Sequence, residues 1–219
     1  MRAVNPLYII GAGGFGREVA WLVERINAKT PTWDFKGFLD DNSILWNREV
    51  DGYKIHGGHL VLERDKGDVW CVLAVGNALA RKRAVERLQP FPHIHFATLI
   101  DPNVETSKSV SVGEGSVICA GTIITVDVSI GRHNIINLNC TIGHDAVLKD
   151  FVTLYPSVDI SGAVTVGECS EIGVGTQIIQ GLSIGSRVVI GAGSCVIRNV
   201  EDGVTALGIP ARVIKKNSM

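Results

Sequence analysis

Residues 158–196 read VDISGAVTVGECSEIGVGTQIIQGLSIGSRVVIGAGSCV, and in them Ile160, Val166, Ile172, Ile178, Ile184, Ile190 and Val196 fall six apart. Followed backwards in the same register, the series continues through Leu154, Leu148, Ile142, Ile136, Ile130, Ile124 and Ile118 to Val112 without an insertion. Ile, Leu and Val supply 65 of the 219 residues, so a chance run of that length has a probability of roughly 10⁻⁸. A period of six is neither the 3.6 of a helix nor the alternation of a single strand; it is the period of parallel β-helices. Three steps make one coil, with the aliphatic residue pointing inward. The position two before it also points inward and must be slender: Ser116, Thr122, Cys140, Ala146 and Ser170 are examples, and only Leu182 is bulky. Glycine follows the aliphatic position at 113, 131, 143, 167, 173, 185 and 191, where corners are expected to need unusual backbone angles or close stacking. About five coils stack into one column, since no coil buries its faces alone.

The rest of the composition is that of an ordinary protein, 46% apolar with a net charge of −1. That balance gives no reason to expect a nucleic-acid partner. No charged leader precedes an apolar stretch and no apolar run approaches 18 residues, so neither export nor membrane spanning is expected and a cytoplasmic location is. The five cysteines, at 71, 119, 140, 169 and 195, lack CxxC spacing and read as reduced packing residues.

Ahead of the repeat the pattern changes. A strand over Leu7–Ile10 runs into Gly11-Ala12-Gly13-Gly14-Phe15-Gly16 and a helix from about Arg17 to Asn27. Such a turn brings backbone N–H groups and a helix N-terminus to a phosphate. A second strand, Phe35–Leu39, ends in Asp40-Asp41, where an acidic residue can meet a ribose or base. A third, Val69–Val75, ends in Gly76-Asn77 before a helix carrying Arg81, Lys82 and Arg83. The ends of these strands converge on one crevice in an open parallel sheet. About 95 residues are few for a dinucleotide enzyme and no Tyr-x-x-x-Lys pair is present, so a sugar nucleotide held by its diphosphate fits better than NAD. The expected fold is therefore α/β plus all-β, with a small Rossmann-like nucleotide-binding domain over residues 1–97, a β-helix of hexapeptide repeats over 98–200 and a tail over 201–219.

Taken together, GAGGFG, the LDD turn, the AVGN strand end, Gly143-His144-Asp145 in the repeats and the Gly208-Ile209-Pro210-Ala211 tail resemble the sialic acid O-acetyltransferase family. Within it the bacterial sugar-nucleotide N-acetyltransferases, of the bacillosamine-precursor type, are the most similar. The resemblance spans nearly the whole chain. It implies a left-handed parallel β-helix, a homotrimer, acetyl-CoA as donor and a nucleotide-linked amino sugar as acceptor, with the 4-amine of a 6-deoxyhexose as the favoured position. Handedness and trimer come from the resemblance alone, not from the periodicity.

The resemblance also implies roles. His144 corresponds to the general base, with Asp145 fixing its tautomer; neutral imidazole titrates close enough to physiological pH to take a proton from an attacking amine. Gly162 would offer its N–H to the thioester oxygen. Asn137 would contact the acceptor sugar, and Val174 and Ala192 the pantetheine arm through their backbone. Gly13, Gly14, Phe15, Asp40, Asp41, Gly76, Asn77 and Arg81 would hold the nucleotide. The chain departs from the pattern in carrying Thr153 where many members have a donor-side histidine, and Ser157 at a common glycine. Thr153 can still hydrogen-bond to acetyl-CoA but cannot act as a base. From the residues alone His133 would equal His144 as a candidate; the motif assigns His133 to the surface, and His56, His59, His93 and His95 receive no role.

Three other functions are weighed. O-acetylation of a free sugar such as sialic acid would use the same base on a hydroxyl, but leaves the nucleotide-binding features without purpose. A zinc hydratase needs three histidines around an open metal position, and the repeat offers two, so no metal is expected. A catalytically silent scaffold would not need His144-Asp145.

Overall fold

The computed structural model describes residues 4–64 and 67–217. They form two compact units: the chain up to Gly76 together with Ala80–Pro102, and Asn77–Leu79 together with the chain from Asn103 onward.

In the first unit the strand Asn5–Ile10 lies at the centre of a parallel sheet, flanked by Trp33–Leu39 on one side and Val69–Leu73 on the other, with Ile94–Phe96 at the edge. The central strand is an apolar run because both its faces are covered; Leu7 and Ile9 are fully buried. The helix expected from about Arg17 already begins at Gly14 and runs to Lys29. Its early start is a matter of close packing. A Cβ at Gly16 would lie 2.0 Å from the carbonyl oxygen of Gly11, so only glycine lets the helix turn directly off the strand. Val19, Ala20, Leu22 and Val23 then face the sheet.

The second unit is a column of two-residue strands arranged as three parallel ladders. The first face stacks Val117–Ile118, Ile135–Ile136, Thr153–Leu154, Glu171–Ile172 and Val189–Ile190. The second runs from Glu105–Thr106 through Ile123–Ile124, Thr141–Ile142, Asp159–Ile160 and Gln177–Ile178 to Cys195–Val196. The third runs from Ser111–Val112 through Ser129–Ile130, Val147–Leu148 and Thr165–Val166 to Ser183–Ile184. Successive strands on a face are 18 residues apart, three hexapeptides to the coil. The aliphatic series and its slender companions make the core, with Ile118, Ile136, Ile142, Leu154 and Val166 fully buried. Leu182, the bulky exception, is only partly buried against that core. Beyond Glu201 the chain forms a hairpin of Val204–Gly208 and Ala211–Lys216 that extends the first face.

The corners differ in detail from the expectation. The glycines after the aliphatic positions are there for close stacking: a Cβ at Gly143 would fall 2.6 Å from the backbone nitrogen of Gly162 on the next coil. The left-handed backbone comes two residues later, and there most positions are not glycine: Asp127, His133, Asn139, Asp145, Phe151, Ser157, Ala163 and Cys169 all have φ between 55° and 61°. Each such residue is held by its N–H bonding an acceptor one coil back, a carbonyl in most, as in Phe151 to Arg132 at 2.9 Å and Ala163 to His144 at 2.7 Å, and the Ser109 hydroxyl for Asp127 at 2.8 Å. Stacking over the whole column offsets the conformational cost at each corner. His133 is consequently not a surface residue. It is 3% exposed, its ring stacked on Phe151 at 5.1 Å and 14°, because residues 18 apart on one corner lie directly over one another.

Candidate active site

His144 stands on the edge where the second face turns into the third. Asp145, the next residue, takes the left-handed conformation at φ 58°, and this folds its carboxylate back so that Oδ2 lies 2.8 Å from His144 Nδ1. Both side chains are about half exposed, at 52% and 62%. A pairing so exposed contributes little to stability, on the order of 0–1 kcal/mol; its value is orientation. With Nδ1–H donating to the carboxylate, Nε2 is left as the acceptor. The Nε2 side of the ring rests on Gly162, one coil further on. A Cβ there would be 2.4 Å from Nε2 and 2.5 Å from Cε1. Gly162 has no left-handed torsion, so what its position demands is the absence of a side chain. Its own N–H makes no hydrogen bond within the described residues and is a donor open to a ligand.

The remaining repeat residues singled out above lie elsewhere on the column. Asn137 is nearly buried on the edge between the first and second faces, its Oδ1 accepting from the N–H of Leu138 at 2.7 Å. Val174 and Ala192, both exposed, follow the first-face strands at Glu171–Ile172 and Val189–Ile190 and so share that edge. Thr153 faces outward in the first-face ladder between Ile135 and Glu171 and is 1% exposed. Within one chain, then, His144, Asp145 and Gly162 are brought together, while Asn137, Val174, Ala192 and Thr153 are not brought to them. His133 sits on the third edge. Among the described residues no three His, Cys, Asp or Glu side chains gather as a metal site, and none of the five cysteines is in a disulfide.

In the first unit a cavity of about 370 Å³ opens at the strand ends, lined by Ile10, Gly11, Asp40, Asp41, Val75, Ala80, Arg83, Ala84 and Arg87. Gly13 and Gly14 begin the helix with open space around them, and Phe15 is half-buried in its first turn. The two aspartates divide their work. Asp40 is committed to its own loop, Oδ2 accepting from Ala12 N–H and Oδ1 from Asn42 N–H, each at 2.9 Å. Asp41 accepts from the His59 ring at 2.7 Å and from the His59 N–H at 3.2 Å, both on Oδ1. Partial burial works to raise the pKa of Asp41, but these His59 bonds, with the charges of His59 and Arg87, outweigh it and leave the carboxyl below its usual range.

Arg81 does not line this cavity. It is 1% exposed and its guanidinium donates to the carbonyls of Val75 and Gly76 at 2.6 and 3.0 Å, bracing the strand end. The cationic groups on the cavity are Arg83, which the sequence placed on this helix without a role, and Arg87, which sequence reading did not name. Ala80, Arg83, Ala84 and Arg87 follow helical spacing along one face, with the two alanines leaving room between the arginines; that spacing was the available signal. Asn77 groups with the second unit, where its side chain donates to Glu171 Oε1 at 2.9 Å.

A hexapeptide-repeat column with an exposed histidine–aspartate pair, preceded by a nucleotide-binding sheet, defines an acyltransferase of the sugar-nucleotide type. Residues 6–88 match the family model of the PglD N-terminal domain. The acetyltransferase domain of PglB from Neisseria gonorrhoeae is 31% identical, with a TM-score of 0.87 over 96% of this chain and 100% of that one. PerB from Caulobacter crescentus, solved with CoA and GDP-perosamine, is 30% identical with a TM-score of 0.86 over 97% and 99% of the two chains. GDP-perosamine N-acetyltransferase of Escherichia coli O157:H7 is 28% identical over 98% of both chains. The chain belongs to the sugar-nucleotide N-acetyltransferase family.

Proposed function

We propose that the protein transfers the acetyl group of acetyl-CoA to the amino group of a nucleotide-linked amino-6-deoxy sugar, the 4-amine by preference. The observation that carries this reading is the His144 corner: an imidazole whose Nδ1 is engaged by Asp145, whose Nε2 is available, and which lies against a residue with an unused N–H. The neutral amine attacks the thioester carbonyl carbon, forming the new C–N bond. Nε2 takes the proton the nitrogen sheds, and the Asp145 carboxylate favours the imidazolium so formed. The carbonyl oxygen gathers negative charge, which the Gly162 N–H is suited to stabilise. Collapse of the intermediate breaks the C–S bond, and the imidazolium returns its proton to the departing thiolate.

The cavity of the first unit supports a nucleotide-linked acceptor. The glycine turn with the helix N-terminus, together with Arg83 and Arg87, suits a diphosphate, and the free oxygen of Asp41 suits an N–H of the base. Asp40, Gly76, Asn77 and Arg81 shape the strand ends on this reading, more than they touch the ligand.

We further propose a homotrimer. The residues assigned to acceptor and donor by family resemblance lie on one edge of the column and the base lies on another, so one chain cannot gather them; a neighbouring copy presenting its Asn137 and Val174 edge to the His144 edge can. Thr153, in the buried first-face ladder, acts at most as support for donor contacts. Five cysteines without a disulfide suit a reducing compartment such as the cytoplasm. No helix among the described residues is long and apolar enough to cross a membrane.

Release of free CoA thiol, followed with UDP-, dTDP- and GDP-linked 4-amino-6-deoxy sugars, tests the function. Turnover is expected with one of these and not with free sialic acid; the opposite pattern would make the enzyme an O-acetyltransferase.

A further inference from the structure

In the first unit the chain returns past Asp41 at Gly58 and His59. Gly58 makes that return possible: a Cβ there would stand 2.9 Å from Asp41 Oδ1 and 3.6 Å from the Trp46 ring, so the backbone passes the carboxylate only without a side chain. His59 then meets Asp41 twice, ring Nδ1 at 2.7 Å and backbone N–H at 3.2 Å, both on Oδ1. The Asp41 carboxyl lies below its usual range, so at neutral pH it is ionised and only accepts, and Nδ1 of His59 carries the proton. Two donors fill the two lone pairs of Oδ1. Oδ2 makes no hydrogen bond among the described residues. The His59 side chain is 16% exposed and that of Asp41 61%, so the histidine is the seated partner. Asp41 lines the cavity, and it has one oxygen left for a ligand there.

We infer that His59 is a positioning residue that selects the base: by occupying Oδ1 it makes Asp41 a one-oxygen acceptor, which fits the imide of uracil or thymine and turns guanine away. The inference rests on the nucleotide-linked acceptor of the proposed function and on Asp41 meeting the base. Guanine presents two donors side by side, N1–H and N2–H, which pair with both oxygens of a free carboxylate. With one oxygen covered, one of these donors goes without its partner, and a polar group taken from water unpaired is costly. The imide of uracil or thymine presents a single N–H between two carbonyl oxygens. It needs one acceptor, and a second bare carboxylate oxygen would face a carbonyl and repel it; the two protons from His59 cover that oxygen. Cytosine and adenine carry a ring nitrogen acceptor in place of the imide N–H, and a carboxylate repels it.

Titration calorimetry with UDP, dTDP and GDP decides the matter. The wild type should bind UDP or dTDP about tenfold more tightly than GDP, the order of one missed hydrogen bond. In H59A that ratio should contract to about threefold or less, the pyrimidine nucleotide losing affinity while GDP keeps or gains it, because the released carboxylate can turn both oxygens to a base. H59N places an amide N–H where the ring Nδ1–H stands and should restore the wild-type ratio. If the wild type binds GDP as tightly as the pyrimidine nucleotides, or if H59A weakens all three nucleotides by the same factor or none of them, His59 only shapes its loop and the inference fails while the proposed function stands. Failure of the wild type to bind any of the three would instead remove the nucleotide-linked acceptor on which both depend.

Discussion

The Cβ that Gly162 lacks is the space in which the His144 ring rests. Gly162→Ala keeps the backbone N–H and needs no torsion that alanine avoids, yet its methyl would displace the ring. Because the ring is half exposed it can swing outward at little cost to folding. Misplacement of a catalytic group by about 1 Å can cost on the order of 10²-fold; kcat should fall by that order with both KM values and Tm preserved, and an unchanged kcat would show that the observed ring position is not the working one. His144→Ala should lower kcat by roughly 10²- to 10⁴-fold, the usual worth of general-base assistance, again without a change in Tm. Cys140 offers a check on packing. Burial in the column, reinforced by the charge of Asp159, pushes its thiol up to about 11, so at pH 8 it should resist alkylation in the native protein and react once the protein is unfolded. His144 and Asp145 were legible as a pair from the motif. The seat beneath them was not, since nothing in a linear sequence sets residue 162 under residue 144 until the coil length is known.

At the level of elements, the column is held by stacks that run across coils. Phe151, packed against His133 and nearly buried, belongs to one of them, and Phe→Ala at such a site removes both transferred area and contacts. A loss of about 3 kcal/mol is expected for Phe151→Ala, read by chemical denaturation, with kcat for the remaining folded enzyme unaltered because this corner is not the one bearing His144. The six-residue period was legible because each strand must turn one aliphatic side chain inward. The corner torsions were not: asparagine and aspartate visit the left-handed region readily, but Phe151 and Ala163 do so only because the coils on either side dictate it. The helix Ala78–Leu88 teaches the same lesson. Its arginines are visible in the sequence, yet which of them turns inward to brace the strand end and which lines the cavity depends on how the helix is rotated against the sheet.

For the whole molecule, the separation of His144 from Asn137 on different edges makes a test of assembly possible. If neighbouring copies complete each site, inactive H144A and inactive N137A chains, refolded together, should recover part of the wild-type activity, whereas each refolded alone should not. Sedimentation should give the mass of three chains. Recovery absent from a properly assembled mixture would mean that Asn137 acts within the same chain as the base, or not on the substrate.

The order of side chains along the chain determined the column, its register and the glycine turn of the first unit, because repeat periodicity and the glycine turn are local and survive in one dimension. Tertiary structure alone decided that Gly162 seats the imidazole, that His133 is buried, that Arg83 and Arg87 rather than Arg81 line the cavity, and that Asp40 is spent on its own loop while Asp41 keeps an oxygen free. Each of these depends on contacts between residues distant in sequence, or on the rotation of a helix. Neither is written in any short stretch of residues.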